Sequence, residues 1–268
     1  MRPYILVLFD GLGLAAEGFR REGFHTVGVE LNPEAHALAR VLLDHNGRNR
    51  GTLINENVLN IHKHVLTNCL AIWCSPPCQT HSAARTQGAP LGDYSTDFMD
   101  WSHDLLQQFP DKPIYIENVT RYGKELNKWG TLYNAAQFGT NQNRNRIVGG
   151  RYPEPISTHP YKKWYTLKGH PVCPTVTATE YKGCASDTRR ASRFYKGKLS
   201  LSEMAYHMDL IEHPDDMELI NKFLVARPIS SYTPAMWKHE VCRAIGNGVP
   251  VRMAQAFAKS FRACNYSI

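Results

Sequence analysis

The chain reads as an α/β fold with parallel layering, and three features predict it. Short apolar strands alternate with helical patterns through the first third of the sequence, the first strand runs into a glycine-rich turn, and polar residues stand just beyond strand ends. The expected strands are Tyr4–Phe9, Thr26–Glu30, Thr52–Ile54 and Leu70–Cys74. Asn32 followed by Pro33 is a cap and first-turn signal for a helix that continues from Ala35 to Leu43 and stops at Gly47. A further helix runs from about Thr96 to Phe109, with Phe98, Trp101, Leu105 and Phe109 along one face and Pro110 as terminator. Pro113 to Glu117 then reads as a buried strand. Periodicity fails from Arg151 to about Cys184, where Pro, Gly, Tyr and Lys dominate, so an irregular lobe is expected there. Ser200 and Glu203 are spaced as a capping box before Met204 to Ile211, and Val251 to Phe261 reads as a closing amphipathic helix. The predicted organisation is a first unit over 1–150, a small lobe over 151–200 and a return segment over 201–268.

With 268 residues, 43% of them hydrophobic, the chain can bury one full core beside a small lobe. The apolar run Tyr4–Phe9 is too short for a signal sequence or a membrane span, which suggests a soluble, cytoplasmic protein. Seven cysteines form no paired CxxC set of the zinc-binding kind, so reduced thiols and no metal are expected. The net charge of +7 is unevenly spread. Asn141 to Ser200 holds twelve Lys and Arg against three acids, leaving the remainder slightly acidic. That segment interleaves Tyr152, Tyr161, Trp164, Tyr165, Tyr181, Phe194 and Tyr195, which suits phosphate contacts with aromatic stacking as well as it suits a solvated basic face.

Four places carry candidate chemistry. Asp10-Gly11-Leu12-Gly13 lets the backbone turn tightly beneath a ligand at a helix start, and Glu30, closing the second strand, stands where a nucleotide-binding α/β fold grips ribose hydroxyls. Ser75-Pro76-Pro77-Cys78-Gln79 stiffens the chain and projects Cys78 from a strand's carboxyl end, and the polar stretch Thr80 to Ser95 after it can act as a lid. A lone cysteine is by itself more often a small buried hydrophobe. Ile114 to Val119 delivers Glu117 and Asn118 at a strand end, and a carboxyl among apolar neighbours can hold a proton. Gln142-Asn143-Arg144-Asn145-Arg146 alternates so that Gln142, Arg144 and Arg146 share one face.

Taken in order, LFDGLG, VELNPEA, SPPCQ, IENV, QNRNR, LSLSEMAYHMDLIEHP and AIGNGVP resemble the cytosine carbon-5 DNA methyltransferases over essentially the whole chain. The resemblance implies a Rossmann-like class I methyltransferase domain over 1–150 with a mostly parallel seven-stranded sheet that is both catalytic and cofactor-binding, a small target-recognition lobe, a final segment over 245–268 that packs back on the catalytic domain, and S-adenosylmethionine as cofactor. On it, Cys78 matches the nucleophile that attacks carbon 6 of a flipped cytosine, and Glu117 the acid at ring nitrogen 3. Arg144 and Arg146 resemble the arginines that hold the base oxygen and the glutamate, while Asn118 supports the cysteine loop. Phe9, Gly11, Gly13, Glu30, Asn57, Pro76 and Asn247 fall at cofactor-binding positions. Nucleic-acid contacts are expected from Gln79, Ser82, Gln142, Lys162, Lys163, Arg189 and Arg190, with duplex DNA as partner.

The sequence departs from the family's pattern at Leu14, where a further glycine is common, at Asn57 in place of an aspartate, at His81 in place of Phe, and at Gly248 in place of alanine. The stretch between QNRNR and LSLSEMAYH is short, which implies a short or relaxed target. Two rival readings are the same chemistry on transfer RNA and a catalytically silent DNA-binding protein of the same fold. The joint presence of Cys78, Glu117, Arg144 and Arg146 argues against the second. Cys74, three residues before Cys78, reads as core packing, and His62 and His64 as surface residues.

Overall fold

The structure, a computed structural model, describes residues 2–47, 50–77, 98–120, 130–159, 173, 175–178, 199–227 and 232–264. One seven-stranded sheet organises them: β1 (Tyr4–Leu8), β2 (His25–Val29), β3 (Gly51–Ile54), β4 (Ala71–Cys74), β5 (Ile114–Asn118), β6 (Gly130–Asn134) and β7 (Asn145–Arg151), in the order β3-β2-β1-β4-β5-β7-β6. The strands from β1 to β5 pair in parallel, and β7 runs antiparallel to both β5 and β6. Residues of β1, β4 and β5 are buried at every position, because helices cover both faces, and this is why β1, β4 and the Ile114–Ile116 part of β5 read as unbroken apolar runs.

The register decides where the site can be. Leu8 lies opposite Val29 and Cys74, Val29 opposite Ile54, and Cys74 opposite Ile116. The carboxyl ends of β1, β2, β3 and β4 are therefore level, β5 runs two residues further to Asn118, and the segments leaving them emerge along a single edge. The expected strand bounds shift slightly. Phe9 is no longer strand because its φ of 57° turns the chain, and Glu30 likewise lies just past β2.

The described helices are α1 (Leu14–Arg21), α2 (Pro33–His45), α3 (Lys63–Asn68), α4 (Phe98–Gln108), α5 (Leu201–His207), α6 (Glu218–Val225), α7 (Pro234–Asn247) and α8 (Val251–Ala263). At the start of α2, Asn32 Oδ1 accepts the Ala35 N–H at 2.7 Å. The capping box of α5 is formed as its spacing predicts, with Glu203 N–H donating to Ser200 Oγ and Ser200 N–H to Glu203 Oε2. The helix is shorter than the expected run to Ile211, because Asp209 adopts a left-handed backbone with φ of 60°. Its carboxylate crosses to α8, where Pro250 offers no capping side chain, and accepts the Arg252 N–H at 3.2 Å and the Thr140 hydroxyl at 2.7 Å. An aspartate from the return segment thus caps the final helix.

Helix α8 packs back on the sheet as the sequence suggests. The Phe257 ring lies 5.5 Å from Trp73, 5.8 Å from Tyr115 and 5.2 Å from Tyr133, all edge-on. A second core joins Leu12, Leu14, Leu38 and Leu42 to Met204, Trp237 and Ile245. Trp237, fully buried, donates its indole N–H to the Phe223 carbonyl at 2.7 Å, and both residues belong to this core. Of the expected lobe over 151–200, the residues described are 151–159, 173, 175–178, 199 and 200, and they include an isolated parallel bridge between Cys173 and Gln142. No described helix is long and apolar enough to cross a membrane.

Phe257 is fully buried where three core aromatics converge. Replacing it with alanine is expected to cost about 3–5 kcal/mol of folding stability, through lost transfer energy and a residual cavity. Urea denaturation of Phe257→Ala beside the wild type measures this, and a loss below about 1 kcal/mol would contradict the packing described.

Candidate active site

The turn after β1 is built from three left-handed residues, Phe9 (φ 57°), Gly11 (φ 58°) and Gly13 (φ 86°). Gly13 takes up that conformation as the cap of α1, which favours glycine. Glu30 holds the turn from the side: its carboxylate accepts the Gly11 N–H at 2.8 Å through one oxygen and the Asn32 N–H at 2.8 Å through the other. A carboxylate has further acceptor sites, so Glu30 can still take a ligand hydroxyl. Burial pushes its pKa up against the pull of those amides. The half-buried Phe9 ring meets Phe98 edge-on at 5.3 Å, giving the turn an apolar wall. Asn57 lies beyond β3, its Oδ1 accepting the Leu59 N–H at 3.0 Å.

Asp10, next to Phe9, was not singled out from the sequence. Its side chain is buried, and desolvation raises its pKa to about 7, with Glu30 adding to the rise and Arg20 and the Ala16 amide opposing it. Arg20 is itself buried on α1, bonded to Glu17 at 3.0 Å, to Thr26 Oγ1 at 3.1 Å and to the Gly13 carbonyl at 3.4 Å. Its spacing from Glu17 resembles any surface helix pair, so the sequence gives no sign that it serves the turn.

Along the same edge, β4 leads into Ser75 and Pro76. Asn118, buried at the end of β5, donates its side-chain amide to the Pro76 carbonyl at 3.2 Å, which ties this strand end to the chain entering the Cys78 segment. Cys78 itself lies outside the described residues, as do Gln79, Ser82, Lys162, Lys163, Arg189 and Arg190. Cys74 is core, as its place on the strand suggested. It is fully buried, with the Ser102 hydroxyl 3.3 Å from its sulfur, and burial pushes its pKa up to about 12, which leaves it a thiol. His62 and His64 pair through their Nδ1 atoms at 2.6 Å on the surface.

Glu117, also buried, pairs with Arg146: Arg146 Nε lies 2.8 Å from Glu117 Oε1. This contact is local to the β5–β7 pairing, where Glu117 stands opposite Val148. Gln142, Arg144 and Arg146 do share the buried side, in an alternation that runs ahead of the strand proper, which starts at Asn145.

Two of these residues are placed differently from the expectation. Gln142 is fully buried, its amide donating to the His207 carbonyl at 2.7 Å and its oxygen accepting the Val176 N–H at 2.9 Å, so it is not presented to nucleic acid. Arg144, expected at a base oxygen, is buried and donates to the carbonyls of Gly246 at 2.9 Å and Gly248 at 2.8 Å, and to that of Val176. Between those glycines stands the exposed Asn247.

No protein-family model and no curated protein matches the sequence. Solved structures do match its fold over the full length. Entamoeba histolytica methyltransferase EhMeth superposes with a TM-score of 0.61 at 13% identity, covering 100% of both chains. A mutant of Spodoptera frugiperda DNMT2 superposes with a TM-score of 0.56 at 15% identity, covering 97% of this chain and 100% of that one. The chain therefore has the Rossmann-like methyltransferase fold, with its mostly parallel seven-stranded sheet.

The Asp10 carboxyl gives a pH dependence of stability with a defined sign. Its folded pKa of about 7 exceeds the ordinary 3.8, so the native state keeps a proton that the unfolded chain has lost. Stability from this group is full below about 4 and falls as pH rises to about 7, by roughly 1.4 kcal/mol per unit. Asp10→Asn removes this dependence. Its stability relative to wild type should rise by about 3 kcal/mol between pH 5 and pH 8, as read from urea midpoints at each pH. A difference independent of pH would show that Asp10 is ionised throughout.

Proposed function

We propose that this protein is an S-adenosylmethionine-dependent methyltransferase that methylates carbon 5 of a flipped-out cytosine in duplex DNA, with Cys78 as nucleophile. The observation that carries the reading is the pair of links at one sheet edge: Glu117 to Arg146, and Asn118 to the chain two residues before Cys78. A buried carboxyl oriented by a guanidinium is the kind of group that recognises the ring nitrogen and exocyclic amine of a cytosine withdrawn from the duplex. The second link holds the chain at Pro76, just beyond β4.

The residues at the neighbouring turn suit the cofactor. Glu30 retains acceptor sites for a ribose, Gly11 and Gly13 let the backbone approach closely, and Phe9 offers an apolar surface to the adenine. When bound, the cofactor supplies an electrophilic methyl group on a sulfonium. Cytosine carbon 5 is a poor nucleophile, and addition of the Cys78 thiolate at carbon 6 makes it electron-rich. A hydrogen bond between Glu117 and the ring nitrogen 3 position stabilises the charge that develops in the ring. After methylation, a water molecule takes the carbon 5 proton as the cysteine sulfur leaves carbon 6, which restores the aromatic base and the thiolate. The +9 balance between Asn141 and Ser200 supports a polyanionic substrate.

Transfer of labelled methyl from S-adenosylmethionine to duplex DNA, followed by nucleoside analysis, tests the reading. Label is expected in 5-methylcytosine and should vanish with Cys78→Ser. Glu117→Gln should lower kcat by roughly 10²–10⁴ while leaving cofactor affinity near wild type. Label on transfer RNA alone would move the substrate, and tight DNA binding without transfer to any nucleic acid would replace the enzyme with a binding protein.

A further inference from the structure

We infer that Arg144 is a positioning residue of the cofactor site, acting through the Gly246-Asn247-Gly248 turn; the inference rests on the function proposed above. The argument begins with α7, which ends at Asn247 and leaves the carbonyls of its last turn without helical partners. The Arg144 guanidinium reaches in from the strand side and donates to the carbonyls on either side of Asn247, those of Gly246 and Gly248. A cation at this place also complements the negative end of the helix. Gln142 backs the guanidinium with its side-chain oxygen at 3.5 Å, and the Val176 carbonyl takes a further donor.

The opposite side of the turn is equally constrained. A Cβ on Gly246 would collide with the backbone of Thr177 and Ala178, and one on Gly248 would lie 2.6 Å from Cδ1 of Leu14. Leu14 is fully buried and is the first residue of α1, directly after Gly13 of the cofactor turn. The 246–248 turn is thus pressed between Arg144 and the cofactor turn, and Asn247 is the one residue of the three whose side chain is exposed. The same contact explains two features of the sequence together: the bulk of Leu14 after the glycines of the first turn is accommodated by the missing side chain of Gly248. Arg146, two residues along, faces Glu117 instead, so the two arginines of QNRNR serve different sites.

Equilibrium binding of S-adenosylhomocysteine, measured by titration calorimetry, separates the two roles. Arg144→Lys keeps the charge but loses the fork, and should raise the Kd about tenfold. In turnover it should raise the KM for S-adenosylmethionine by a larger factor than it lowers kcat. Arg146→Lys should show the reverse split. If Arg144→Lys proves unfolded by thermal melting, Gly248→Ala decides: it should weaken binding similarly, and Leu14→Ala with Gly248→Ala should restore it. Binding by Arg144→Lys within twofold of wild type, or a failure of the double variant to recover, would overturn the inference while leaving the proposed function intact. A wild-type protein that does not bind the cofactor product would withdraw both.

Discussion

The register of five parallel strands, which brings their carboxyl ends to one edge of the sheet, is the constraint on which the rest of the molecule depends. Hydrogen bonding places Ile54, Val29, Leu8, Cys74 and Ile116 across from one another, and each strand is then followed by a segment with its own chemistry. A parallel sheet cannot slip by one residue without turning its apolar side chains from one helical layer to the other. The tightness of the buried strands therefore also fixes the spacing between the Gly11 turn, Glu30, Ser75 and Glu117. Function at this edge is a consequence of packing well below it.

Several charged groups are buried around that edge, and each is tied to a different part of the chain. Glu117 meets Arg146 within the β5–β7 pair, Glu17 meets Arg20 beneath the Gly11–Gly13 turn, and Asp209 meets Thr140 and the half-exposed Arg252 at the start of α8. Removing one member of a fully buried pair such as Glu17 and Arg20 typically costs about 3–5 kcal/mol, because the other is left uncompensated. Apolar replacements could hold the same volume with less penalty, so these groups are better understood as setting positions than as sources of stability. Asp209 shows this most clearly: a left-handed aspartate ends one helix and caps another.

The five parallel strands were legible in the sequence because short apolar runs end at turn or polar residues, whereas β6, with Gly130, Thr131 and Asn134, carries no such run and could not be picked out. The N-cap Asn32 and the capping box at Ser200 were legible for the same local reason, since a cap is satisfied within four residues. What escaped was the partnering of residues distant in sequence. Nothing local marks Asp10 as buried, Arg20 as a support for the Gly13 carbonyl, or Asp209 as the cap of α8. The QNRNR alternation correctly put three side chains on one side, yet alternation cannot say what that side faces.

The amino-acid sequence by itself determined the five parallel strands, helices α2, α4, α5 and α8, the glycine turn after β1 and the placement of Glu30 and Glu117 at strand ends, because all of these follow from local pattern and short-range geometry. Tertiary structure decided which carbonyls and carboxylates the buried arginines would meet. Arg144 and Arg146 are equivalent in pattern and in charge, and only the arrival of α7 on one side and of β5 on the other sends the first to the Gly246–Gly248 turn and the second to Glu117. A guanidinium, with five donors and no acceptor, must be satisfied wherever it is buried, and its partners are set by the fold that buries it.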